Sequence, residues 1–205
     1  MLTLYYTPGT ISIATAIALH EAELSFEAIK VDFATAEQTK PAYQEINPKG
    51  RVPALVTEQG ILTETGALLE YVAARAPGAG LVPEDAFQAA KMREVMYYLA
   101  STMHVNHAHR MRGSRWATRQ DSFDDMAAKV PETMAASAAH IEQHGLAGPY
   151  VLGEKFSIAD PYLFVICSWL GGDGVDVARY GKITAFMEAM NARPVVRDLR
   201  AKGMI

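Results

Sequence analysis

The sequence predicts an α/β domain followed by an all-helical one, on three observations. Strand-like and helix-like segments alternate through about the first 76 residues, almost no strand signal follows, and the Pro/Gly-rich stretch "PGAGLVPED" separates the two. The boundaries read as 1–77, a linker at 78–84, and a helical domain over 85–205. With 205 residues, 50% of them apolar and 20% charged, the chain has the balance of an ordinary globular protein able to bury a core in each part.

"LTLYY" (2–6) and "FEAIKVDF" (26–33) carry the β-branched and aromatic residues of strands. Between them, residues 12–22 place Ile13, Ile17 and Ala18 on one helical face, so the two strands pair in parallel across a helical crossover. A helix-length segment follows. "VPALVT" and "ILTE" then flank "EQG", which predicts an antiparallel hairpin turned at Gln59-Gly60. A helix over 65–76 stops before Pro77-Gly78. The order βαβαββα makes a mixed four-stranded sheet covered by helices. Beyond Asp85 come helical segments of about 25, 22, 14, 12 and 7 residues, divided by "RGSR", "HGLAGPYVLGEKF", "GGDGVD" and Arg193-Pro194.

Several classes of function are disfavoured. The longest apolar stretch, 161–170, is half the roughly 20 residues that span a bilayer, and the start lacks the charged and apolar regions of a secretory signal. No membrane role is expected. A net charge of −4 removes the footprint of a nucleic-acid binder. The run "HRMRGSR" places Arg110, Arg112 and Arg115 either as cations at a helix C-terminus or around an acidic group on a small ligand. The single cysteine, Cys167, lies in "YLFVICSWL", where burial makes it inert, and the absence of a second fits a reducing cytoplasm.

"NPKGRVPALVTEQGILTETGALLEYVA" (47–73) carries the most chemistry. Pro53 at the start of the third strand leaves the Val52 N–H and C=O beyond the ladder, free to pair an extended peptide-like ligand as an added strand. Glu64 and Thr65 stand at the start of a helix, where a hydroxyl and free N–H groups hold a carboxylate and Glu64 holds an amine. Together they describe a receptor for an α-amino acid end joined to a short peptide. "HVNHAH" sets His104, His107 and His109 on one helix; the first two have metal-pair spacing, but no acidic or cysteine partner is near in sequence, so no metal is expected.

"NPKGRVPAL" with "LTET" resembles the glutathione-binding signature of the cytosolic glutathione transferases. "YYTPGTIS" and "GEKFSIADPYLF" are similar to two further family signatures in the same order and spacing, so the resemblance covers essentially the whole chain. The opening "LYYTPG" most resembles the bacterial beta class. The resemblance implies a thioredoxin-like first domain, glutathione as co-substrate, conjugation of small electrophiles in detoxification, and a homodimer. It makes Pro53 a cis-proline and Val52 the partner of the cysteinyl backbone, with Glu64 and Thr65 at the γ-glutamyl end; the family more often has serine at the second place. Lys49 and Arg51 either meet the glycyl carboxylate or stay solvated. Ser157 and Asp160 match the family's helix-capping box, a structural feature.

Beta-class proteins carry a cysteine in the opening turn where this chain has Ile11, so exchange through an enzyme thiol is not expected. Thr10 occupies the place of the catalytic serine in related classes, with Ser12 two positions on. Either hydroxyl can donate to the glutathione sulfur and hold it as thiolate, or each can cap the helix. Tyr6 is a third candidate donor or a core aromatic. His104 aligns with a histidine that beta-class proteins direct to the active site, and Tyr97 stands where they often have asparagine. Tyr97, His104, Met111 and Trp116 are the expected lining of an electrophile pocket between the domains, or ordinary core residues. Two alternatives stand beside the transferase: a glutathione-binding module without catalysis, and a glutathione-dependent reductase.

Overall fold

A computed structural model describes residues 1–205. The first part runs β1 (Leu2–Tyr6), α1 (Ser12–Glu21), β2 (Phe26–Lys30), α2 (Pro41–Gln44), β3 (Ala54–Thr57), β4 (Gly60–Thr63) and α3 (Thr65–Arg75). The sheet order is β2-β1-β3-β4. β1 and β2 are parallel, from Leu2↔Phe26 to Tyr6↔Lys30, while β3 is antiparallel to both β1 and β4. This is the mixed sheet the βαβ crossover and the hairpin predict.

Two local boundaries differ. β2 stops at Lys30 because the Asp32 carboxylate accepts the Ala34 N–H at 2.9 Å and turns the chain. The hairpin turns on Glu58-Gln59, one residue earlier than expected, with Thr57 opposite Gly60. The Thr57 hydroxyl donates to the Gly60 carbonyl and accepts from the Gln59 N–H, and Gly60 supplies a φ of +140°.

The chain forms two compact units, Met1–Glu84 with Asn191–Ile205, and Asp85–Met190. The helical part expected to fill 85–205 therefore gives up residues 191–205 to the first unit. Burial explains the return. α1 is buried on every side from Ser12 to Leu19, which one sheet face and α3 cannot achieve alone. Its remaining face is covered by a helix of residues Pro194–Ala201 that sinks Val196 and Leu199 completely. Arg193, just ahead of that helix, grips Glu21 with two hydrogen bonds of 2.7 and 2.6 Å.

The second unit contains α4 (Ala86–Tyr98), α5 (His104–Ala108), α6 (Gln120–His140), α7 (Ala159–Trp169) and α8 (Gly181–Ala192), the last crossing into the returning segment, whose helix is then α9. The Asp85 carboxylate caps α4 by accepting the Gln88 N–H at 2.8 Å. A wide π turn over Leu99–Met103 joins α4 to α5, giving the long helical run the spacing predicts. α7 supplies the centre of this core with Leu163, Phe164 and Ile166. No helix is long and apolar enough to cross a membrane.

Two predictions follow from buried side chains. Cys167 is 3% exposed and burial pushes its thiol up to about 12, so a thiol reagent at neutral pH should label the protein only after denaturant unfolds it. Labelling of the native state at the rate of a free thiol would contradict that burial. Thr15, wholly buried in α1, has a hydroxyl with no partner. Thr15→Val keeps the shape and removes the orphan, so it should stabilise by about 1 kcal/mol in urea unfolding.

Candidate functional site

Three segments converge at one end of the sheet. The β1–β3 register ends at Tyr5↔Ala54 and the β3–β4 register at Ala54↔Thr63. Tyr6 and Thr7, Pro53 and Val52, and Glu64 and Thr65 are the next residues beyond these register ends. The turn that opens α1, the start of β3 and the start of α3 are thus neighbours.

In the opening turn, Pro8-Gly9 reverses the chain with Gly9 at φ +68°. The Thr10 hydroxyl donates to the Thr7 carbonyl at 2.7 Å and lies 2.7 Å from the Ser12 hydroxyl. Ser12 accepts the Thr7 N–H at 3.1 Å and also reaches the Thr7 carbonyl at 3.3 Å. Thr10 is half-buried, whereas Ser12 is completely covered. Neither caps α1 through its second or third amide: Ile11 holds the cap position without a side-chain bond, and the Ile13 and Ala14 amides bond the Thr10 and Ile11 carbonyls at 3.1 Å. The pair has two hydroxyl protons. When Ser12 donates to the Thr7 carbonyl, the Thr10 proton is freed from that carbonyl for the Ser12 oxygen or another acceptor, with the positive end of α1 behind it. Tyr6 closes β1 half-buried, its carbonyl bonded to the Val31 N–H.

The Val52–Pro53 bond is cis, and β3 begins only at Ala54, so the Val52 backbone lies beyond the ladder. The loop ahead of it is braced by two residues that the sequence pattern did not single out. Asn47, 1% exposed, donates to the Arg51 carbonyl at 2.6 Å and accepts the Lys49 N–H at 3.1 Å; the Tyr43 hydroxyl donates to the same carbonyl at 2.7 Å. Burial holds the Tyr43 phenol well above its usual range. Gly50 allows the loop to close, since its φ is +61° and a Cβ would stand 2.9 Å from the Gln38 carbonyl.

Glu64 adopts φ +74°, an uncommon value for a residue with a side chain, at the start of α3. Its carboxylate meets Lys49 Nζ at 2.5 Å, and Lys49 also donates to the Thr63 hydroxyl at 2.7 Å. Lys49 therefore stands at the Glu64–Thr65 corner. Thr65 is buried and Arg51 exposed.

The remaining sequence-derived candidates lie in the second unit. His104 packs against Trp169, 5.2 Å between ring centres, and His107 stacks on the same ring at 4.1 Å. His107 Nδ1 is bound to the fully buried Asp173 at 2.7 Å, and Arg110 approaches the other oxygen at 3.4 Å. The two histidines thus share an indole, and the arginine run has one member on an internal carboxylate. Asp173, 66 residues from His107, carried no sequence signal. Tyr97, Met111 and Trp116 are exposed on this unit, and Trp116 meets His109 edge-on at 4.4 Å.

A family model described as "Glutathione S-transferase, N-terminal domain" matches residues 1–74. Glutathione S-transferase GstA of Escherichia coli O157:H7 is 30% identical, with 98% of both chains covered. Among solved structures, a glutathione transferase homolog from Sulfitobacter with bound glutathione is 68% identical with a TM-score of 0.98, covering 100% of this chain and 99% of its own. A bacterial beta-class glutathione S-transferase from Sphingomonas chungbukensis is 30% identical with a TM-score of 0.83, covering 99% and 100%. Similarity of this degree over the full length of both chains makes the protein a member of the glutathione S-transferase family.

Proposed function

We propose that the protein is a transferase that binds glutathione at the converging sheet end and conjugates its thiolate to a small electrophile. The observation that carries this reading is the Thr10 hydroxyl, half-buried at the positive end of α1 and backed by buried Ser12, at the same end of the sheet as the cis Val52–Pro53 bond. Thr10 donates to the glutathione sulfur and keeps its own proton; the thiol proton leaves to solvent. Moving a thiol pKa from about 8.5 down by two units takes about 2.7 kcal/mol. One hydrogen bond to a charged atom, worth about 1.5–3 kcal/mol, plus a helix terminus at about 0.3–1 kcal/mol, supplies it.

Val52 pairs the cysteinyl backbone as an added strand. Glu64 takes the γ-glutamyl amine, sharing it with or releasing Lys49, while Thr65 and the first amides of α3 take its carboxylate. Lys49 and Arg51 are the cations for the glycyl end. Ser12, wholly covered, acts on Thr10 rather than on the ligand. The thiolate then attacks an electrophilic carbon, whose leaving group or π-electron pair departs. We further place the protein in the cytoplasm as a homodimer, a reading supported by its family and its single buried cysteine.

Calorimetric titration with glutathione, followed by assays against aryl halides, epoxides and α,β-unsaturated carbonyls, tests the proposal. Binding with turnover above the spontaneous rate supports it. Binding without turnover on any of these classes would leave a glutathione-binding module, and absence of binding would remove the reading altogether.

A further inference from the structure

We propose that residues 203–205 are a positioning element of the thiol-activating turn, the Met204 carbonyl holding Gly9 and, through it, Thr10 in donating geometry; this rests on the function proposed above. The Gly9 N–H donates to the Met204 carbonyl at 3.1 Å, joining the residue before Thr10 to one far along the chain. The acceptor is itself fixed. α9 ends with Gly203 at φ +69°, the Gly203 N–H on the Arg200 carbonyl and the Met204 N–H on the Leu199 carbonyl, each at 3.0 Å. This is a Schellman end, which sets the direction of the residue after the glycine. The Met204 side chain is buried and α9 is anchored by Val196 and Leu199.

The clamp has two tethers. Arg193 ahead of α9 holds Glu21 at the end of α1, and Met204 beyond α9 holds Gly9 ahead of α1. A left-handed glycine beside a proline pivots readily, and the Thr10 hydroxyl must choose between the Thr7 carbonyl and an outside acceptor. Fixing the Gly9 amide restricts that pivot before the ligand arrives, so less ordering is required when the thiolate forms.

The test uses three variants of the full protein: a chain ended at Gly203, which loses the carbonyl; Gly203→Ala, whose added Cβ meets no atom within 4 Å but disfavours the +69° backbone that aims it; and Met204→Ala, which keeps it. Readouts are the pKa of bound glutathione by difference absorbance, the glutathione Kd, and amide exchange at Gly9, Thr10 and Ile11. The shortened chain should raise the thiol pKa by about one unit, a roughly threefold loss of thiolate at neutral pH with a matching fall in kcat, while Kd changes by no more than about threefold. Exchange at Gly9 and Thr10 should quicken. Gly203→Ala should move both readouts in the same direction by less, and Met204→Ala should leave the pKa in place.

A folded shortened chain with unchanged thiol pKa and unchanged exchange would overturn the inference and leave the proposed transferase standing. Should the unaltered protein bind glutathione with no lowering of the thiol pKa, the transferase reading fails, and the exchange measurement still decides the tether. Where the shortened chain does not fold, Gly203→Ala decides it.

Discussion

At neutral pH Thr10→Val should lower kcat by about three- to twenty-five-fold and raise the pKa of bound glutathione by about one to two units, with Kd changing only a few-fold. The size follows from losing one hydrogen bond to an anionic sulfur. The separation of kcat from Kd follows because the neutral thiol gains little from that donor, so the hydroxyl acts on the charged form. Valine is the informative replacement. It keeps the branched shape, the fully covered Ser12 hydroxyl retains the Thr7 amide at 3.1 Å and the Thr7 carbonyl at 3.3 Å, and the one buried contact given up is the long 3.4 Å bond from the Ser12 N–H to the Thr10 hydroxyl. Thr10→Ser should restore most of the activity. Ser12→Ala should have the same sign and a smaller effect, because Thr10 then keeps its proton on the Thr7 carbonyl for a larger share of the time. Difference absorbance across pH and steady-state kinetics on the same preparations measure both quantities. Turnover like that of the unaltered protein in Thr10→Val would remove Thr10 from the mechanism and direct attention to Tyr6 or to the α1 terminus alone.

How much of this is legible in the sequence depends on how local each feature is. The parallel pair, the hairpin, α1 and α3 follow from period-two and period-3.6 patterns within a few residues and stand as predicted apart from shifts of one to three residues at their ends, whereas the helix-length segment between β2 and β3 holds only the four-residue α2. The Val52–Pro53 strand entrance and the Glu64–Thr65 helix start, the places proposed above to meet the ligand, were likewise visible, because proline chemistry and helix starts are short-range signals. What was hidden is long-range. Nothing near Gly9 announces Met204, nothing near Glu21 announces Arg193, and Asp173 is distant from His107. One clue to the return of α9 did exist, since "SIATAIAL" is apolar on more sides than one sheet face can cover. The different burial of Thr10 and Ser12, two residues apart, was also beyond sequence reasoning: both are small hydroxyls at a helix start, and only the path of the turn separates the half-buried one from the covered one. Lys49 is a similar case. Its pairing with Glu64 depends on Asn47 bending the loop back, an interaction made through a buried amide whose sequence neighbourhood reads simply as a turn.

The largest stability loss is expected from Asp160→Ala, at about 4 kcal/mol in urea unfolding, out of the 5–15 kcal/mol typical of a folded domain. Asp160 is completely buried, and its two oxygens are each used: Oδ1 accepts the Val151 N–H at 2.8 Å, and Oδ2 accepts the Ser157 N–H at 2.6 Å and the Ser157 hydroxyl at 3.0 Å. One side chain thus ties the loop at Val151 to the head of α7. The family's capping box is present here in its return half. The Ser157 oxygen accepts the first amide of α7, the Ala159 N–H, at a long 3.4 Å, and the carboxylate accepts the shorter bonds. Removing it leaves two backbone N–H groups on residues that are 4% and 1% exposed, each costing about 1–3 kcal/mol without an acceptor. Asp160→Asn keeps one acceptor oxygen but turns an NH2 group towards a second N–H, so about half the loss should remain. Ser157→Ala gives up only the hydroxyl contact and should cost about 1 kcal/mol. The order Asp160→Ala, then Asp160→Asn, then Ser157→Ala is the signature of an acceptor-centred tie. If Ser157→Ala instead matched Asp160→Ala, the serine would be the anchoring cap and the carboxylate its accessory.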